Sequence, residues 1–135
     1  MIGTRAGMIF LVPGKCYTSN AAFSKGHWYR KKRRDEVKQA AGEVIDRMIQ
    51  QMDPGTIPYP MVEIECQMQY TRKGNFCDTD APAPFKKAVL DTLVDRGVLA
   101  DDTSDIVRGV KYLPPIGGQE TEGLLVLVHP VEVIT

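Results

Sequence analysis

Asp78 and Asp80 stand two residues apart in a stretch without periodicity, so in extended backbone their side chains point the same way and can share one cation. Without a cation the like charges repel and one pKa rises; with magnesium both remain ionised while water completes the shell. Taken alone, an Asp-x-Asp pair in a loop is more often turn chemistry or helix capping. Lys87 precedes Asp91 by four residues, the spacing of a helical ion pair. Asp101 and Asp102 are adjacent, so their side chains diverge and one of them can cap a turn.

A second group has a different chemistry. Arg30-Lys31-Lys32-Arg33-Arg34 places five cations in succession, enough to contact the phosphates of a DNA arm or to form a solvated charge run. His27, Trp28 and Tyr29 immediately precede it. A lone tryptophan there can stack on an unpaired base or serve as a packing staple at a helix start. Arg72, Lys73 and Lys86 are the remaining candidate phosphate contacts. The histidines His27 and His129 lie far apart, and Cys16, Cys66 and Cys77 form no CxxC, so neither a zinc site nor a disulfide framework is indicated.

Elements on either side must position these groups. Val62, Ile64, Cys66, Met68 and Tyr70 alternate with Glu63, Glu65, Gln67, Gln69 and Thr71, a period of two that predicts a half-buried strand leading into the segment of Asp78 and Asp80. Pro84, the apolar set Phe85, Ala88, Val89, Leu93 and Val94, and Gly97 as a stop predict a helix from Pro84 to Arg96. Upstream, Val37, Ala40, Ala41, Val44, Ile45, Met48, Ile49 and Met52 recur at steps of three and four, the stripe of a long helix ended by Pro54-Gly55. Cys16 to Trp28 show neither period and read as a loop. The basic run then opens the long helix, where positive charge opposes the macrodipole.

Met8 to Val12, closed by Pro13-Gly14, reads as a buried strand that opens the core sheet. Ile106 to Leu113 and Leu124 to Val128 read as two more strands, with a turn or hairpin at Pro114 to Gly118 between them. No repeat, low-complexity tract or linker interrupts the chain. The expectation is an α/β (α+β) fold, one domain over residues 1–135 with a mixed sheet and two main helices.

Composition fits that picture. The 135 residues are 43% hydrophobic and 25% charged, which excludes a disordered or collagen-like chain. No window approaches the roughly 18 apolar residues of a membrane span, and Met8 to Val12 is too short for a signal-peptide core, so the expected location is cytoplasmic. The net charge of zero hides an asymmetry: through Gln50, ten Lys and Arg stand against four Asp and Glu, and beyond it seven stand against thirteen. A protein that holds a polyanion beside divalent cations needs both kinds of surface.

The block Asp78-Thr79-Asp80, then Lys86-Lys87-Ala88-Val89-Leu90-Asp91-Thr92-Leu93, then Gly97-Val98-Leu99-Ala100-Asp101-Asp102 resembles the RusA-type Holliday junction resolvase family. Its signature is an Asp-x-Asp, a helix with Lys-Ala and Asp-x-Leu elements, and a glycine leading to an Asp-Asp pair. The resemblance implies that Asp78, Asp80 and Asp102 bind magnesium (Mg2+, with Mn2+ as a substitute) and that Lys87 is the catalytic lysine. Metal ions activate a water and stabilise the leaving oxygen in phosphodiester hydrolysis, while a nearby ammonium offsets charge on phosphate oxygens.

The chain departs from the family pattern in two places. Ala81-Pro82-Ala83-Pro84 lengthens the spacing between Asp80 and Lys87, which leaves Lys86 as an alternative to Lys87. Gly74-Asn75-Phe76-Cys77 replaces a run of arginines. The resemblance also implies a homodimer. Junction symmetry argues for the same assembly, because a four-way junction has approximate two-fold symmetry and needs paired nicks. The expected function is therefore a magnesium-dependent endonuclease for four-way DNA junctions, in bacterial or phage DNA processing. Its rivals are a metal nuclease for flaps or forks and a non-catalytic DNA-binding dimer.

Overall fold

The computed structural model describes residues 6–16, 19–73 and 82–131, the side chains of 19–27 excepted. Its element order is β1 (Met8–Pro13), α1 (Ser19–Gln50), β2 (Val62–Gln69), α2 (Ala83–Asp95), β3 (Val107–Tyr112) and β4 (Gly123–Pro130). The strands form one mixed sheet in the order β1-β4-β2-β3. β4 runs antiparallel to both β1 and β2, and β2 runs parallel to β3. An α+β fold with a mixed sheet and two helices is thus what these residues build.

The period of two explains which face of the sheet is covered. Phe10, Val126 and Cys66 share one cross-strand row, with Met8, Val128 and Ile64 on one side of it and Val12, Leu124 and Met68 on the other. All nine are buried. Val37, Ala41 and Ile45 of α1 and Phe85, Ala88, Val89 and Leu93 of α2 complete the same core, so both helices lie on that face. Complete burial of an aliphatic or aromatic side chain is worth about 1.5–3 kcal/mol, so these rows set the orientation of the helices. The other face carries Ile9, Glu63, Glu65, Gln67 and His129 towards solvent. Close approach at β1–β4 requires Gly123, where a Cβ would collide with the Val12 carbonyl oxygen.

Four expectations need correction. β1 is an edge strand with alternating burial, not a wholly buried opener: Ile9 is 65% exposed. Residues 19–28 are helix, not loop, because α1 begins at Ser19. An apolar stripe marks only the part of a helix that packs, and from Trp28 to Glu36 the described side chains are exposed or half-buried. The basic run therefore lies inside α1, more than two turns from its start, where the end-localised macrodipole has no hold on it. Finally, of the turn or hairpin expected between β3 and β4, the hairpin is excluded, because β2 lies between the two strands. The segment after β3 continues beside the end of β2, where the Ile116 N–H donates to the Met68 carbonyl at 3.1 Å and the Tyr70 N–H to the Ile116 carbonyl at 2.8 Å. The chain then returns on the far side of β2 as β4.

Candidate active site

α2 begins with Pro84 in its first turn, where a missing N–H costs nothing, and stops before Gly97, whose φ of 78° suits glycine. One side of this helix is apolar and buried. Along its exposed side run Lys87, Asp91 and Asp95, one turn apart. The chain past Gly97 turns back: Val98 and Leu99 are buried, and the Val98 and Leu99 N–H groups both donate to the Leu93 carbonyl, at 2.9 and 3.3 Å. This return brings Asp101 and Asp102 beside the helix. Lys38 from α1 supplies the opposite wall of a cleft of about 300 Å³ lined by Lys38, Lys87, Asp91, Asp95, Asp101 and Asp102.

Lys87 is the centre of this cleft. Its Nζ donates to Asp102 Oδ2 at 2.6 Å and lies 3.1 Å from Asp91 Oδ1. Lys38 Nζ stands 3.9 Å from the other oxygen of Asp91. The result is a chain of alternating charge, Lys38, Asp91, Lys87, Asp102. The hydrogen bond from Lys87, and then its charge, holds the Asp102 carboxyl below its ordinary range. The Asp102 and Asp91 bonds in turn raise the Lys87 ammonium above its own, Asp102 contributing first. The Lys87 side chain is 57% exposed, and exposed ion pairs contribute only about 0.2–1 kcal/mol. These contacts orient charge more than they stabilise the fold.

Asp101 and Asp102 have different roles. The Asp101 carboxylate accepts the backbone N–H of Asp102 at 2.8 Å, a local cap that fixes the backbone from which Asp102 projects. Of the two lysines, Lys87 lines the cleft; Lys86 is half-buried and does not line it. Burial pushes the Cys66 thiol up to about 12, which leaves it without nucleophilic thiolate. Asp105 is exposed in a turn, its carboxyl lowered first by a hydrogen bond from Thr103.

Asp78 and Asp80, with Cys77, lie outside the described residues, between β2 and α2. Among the described residues no three His, Cys, Asp or Glu side chains gather closely enough to hold one metal ion. Of the three expected ligands only Asp102 is among the described residues; its carboxylate is of the ligand type that magnesium takes, and here it is paired with the Lys87 ammonium.

Lys38, Asp91 and Asp95 are members of the cleft that residue types and spacing did not mark as site residues. Asp91 had a signal in its distance along the chain from Lys87. Lys38 had none, because only the packing of α1 against α2 brings it there. The basic segment of α1 is exposed apart from Tyr29 and Arg33, which are half-buried. Arg33 lies 5.4 Å from the Tyr29 ring centroid and 3.2 Å from Glu36. Arg72 lies over the Tyr70 ring just past β2. Compared with known proteins, the chain matches no family model and no curated protein.

Proposed function

We propose that this chain is a magnesium-dependent, structure-selective endodeoxyribonuclease that resolves four-way DNA junctions by paired nicks, acting as a homodimer of the RusA type. The observation that carries the reading is the 2.6 Å contact between Lys87 and Asp102, fifteen residues apart in sequence. These are two of the four residues to which the resemblance gives catalytic roles, and the fold holds them in one open cleft.

Asp102, with Asp78 and Asp80, would hold magnesium. The bound ion supplies an acidified water and neutralises charge on the scissile phosphate. Lys87 presents its ammonium to a non-bridging phosphate oxygen, offsetting charge as it develops. Asp91 keeps that ammonium charged and aimed, and Asp101 fixes the backbone of Asp102. Arg30 to Arg34 hold phosphates of a DNA arm, with Arg72, Lys73 and Lys86 as further contacts. Two copies related by a two-fold axis would match the two strands to be nicked.

The test compares wild type and Asp80→Asn on a labelled immobile four-way junction, a flap and a linear duplex, with magnesium or with chelator. The expected result is paired, magnesium-dependent nicking of the junction, lost in Asp80→Asn while junction binding is kept or strengthened. Better cutting of the flap replaces the resolvase by a branched-DNA nuclease. Binding without cleavage under any metal leaves a DNA-binding module.

A further inference from the structure

Trp28 is 72% exposed, the most exposed large apolar side chain among the described residues and the chain's sole tryptophan. A staple packed within the chain would be covered, and this ring is not. Its position in α1 is instructive. Five successive cations follow it, Arg30 to Arg34, and five residues exceed the 3.6 of one helical turn, so positive charge surrounds the helix instead of lining one side. Lys32 Nζ sits 5.2 Å from the indole centroid, which fixes a cation against the ring and leaves most of its surface to solvent.

The surroundings choose the occupant. A membrane-surface helix needs an apolar face opposite its charged one, and the stretch from Trp28 to Glu36 has none: its aromatic residues Trp28 and Tyr29 are neighbours in sequence and diverge around the helix. A polyanion with flat, unsatisfied rings fits instead. In a linear duplex the base faces are already stacked, whereas an unpaired nucleotide offers its face to an aromatic ring and its phosphates to the flanking cations. We propose that Trp28 is a stacking platform for an unstacked nucleobase, in a single strand or at the open centre of a branch, with Lys32 and its basic neighbours holding the adjoining phosphates. The proposal rests on the reading of the chain as a branched-DNA enzyme and names the feature of the branch that α1 engages.

Because the chain has one tryptophan, its intrinsic emission reports this position alone. The full chain is titrated, without magnesium, with an oligodeoxythymidine, a linear duplex and an immobile four-way junction, following tryptophan emission and the anisotropy of labelled DNA together. Quenching by the oligodeoxythymidine and the junction, with little by a bound duplex, is the expected result. Trp28→Ala should weaken oligodeoxythymidine binding by about 5- to 100-fold, with duplex affinity, the salt slope and Tm unchanged; Trp28→Phe should restore most of the loss. DNA bound with unchanged emission, an unaffected Trp28→Ala affinity, or equal quenching by duplex would overturn the proposal. So would a response to phosphatidylserine vesicles without one to DNA. Junction cleavage without quenching removes the role of Trp28 alone, and quenching without cleavage in magnesium removes the nuclease reading alone.

Discussion

Lys87 reaches two carboxylates at once, and the asymmetry between them is informative. Asp102 forms the shorter contact and dominates the rise in the Lys87 pKa; Asp91, one turn along α2, forms the longer and is shared with Lys38. The consequence for stability has a definite sign. Asp102 binds its proton less readily when folded than when unfolded, so its contribution is present above the unfolded value of about 3.9 and is lost as pH falls through the lower folded value. Asp102→Asn removes that contribution. The variant should melt slightly below wild type at neutral pH, by no more than an exposed pair's about 0.2–1 kcal/mol, and the two melting curves should converge as the pH is lowered below about 4. A gap that widens towards acid would show that Lys87 does not stabilise the Asp102 carboxylate.

At the scale of elements, α1 has two parts with different jobs. From Val37 onward its apolar stripe is buried against the sheet, and Asp46 meets Arg96 at 2.9 Å beyond the end of α2. Gly42 lets this arginine lie close, since a Cβ there would meet its guanidinium at 2.5 Å. From Trp28 to Glu36 the helix is rich in charge, and its side chains are exposed or half-buried. Its cations are not equivalent: Lys31 and Arg34 are exposed, Arg34 only approaching Asp35 at 3.9 Å, whereas Arg33 is half-buried and paired with Glu36 at 3.2 Å. Replacing Lys31 and Arg34 with Ala should flatten the salt dependence of DNA affinity by up to about two units, each phosphate contact being worth about 0.9. Arg33→Ala alone should flatten it by less than half as much. Binding constants measured across a salt series decide the matter, and an unchanged slope for the double variant would remove α1 from the interface.

For the whole molecule, the separation of charge along the chain becomes a separation of surfaces. The basic segment of α1 and the acidic cleft along α2 are distinct features, joined by the packed half of α1 that carries Lys38 to the cleft. A junction enzyme must hold phosphate at one place and tolerate cation-binding carboxylates at another, and it must do so twice. Light scattering on the purified protein should therefore give twice the 15.0 kDa chain mass, and equimolar mixing with Asp80→Asn should reduce paired nicks more than total nicks. A monomer that nevertheless makes paired nicks would refute the two-fold scheme. The described residues contain no helix long and apolar enough to cross a membrane.

β2 and the packed half of α1 were legible in the sequence because each buries one face, and burial imprints a period of two or 3.6 on the residue types, whereas β1 and β4 showed only as short apolar runs that hid the alternation of β1. The same local logic marked α2, its proline and glycine ends, and the spacing of Lys87 and Asp91. What carries no such imprint stayed hidden. The first turns of α1 are helical without an apolar stripe, so residues 19–28 read as loop. Strand order and the passage of the chain around the end of β2 depend on pairing between distant segments, which no local period encodes. The meeting of Lys38, Lys87 and Asp102 depends on the packing of α1 against α2 and on the turn after Gly97; tertiary structure alone decided it. So too for Trp28: sequence left stacking and packing open, and the exposure of the ring showed that it does not pack within the chain.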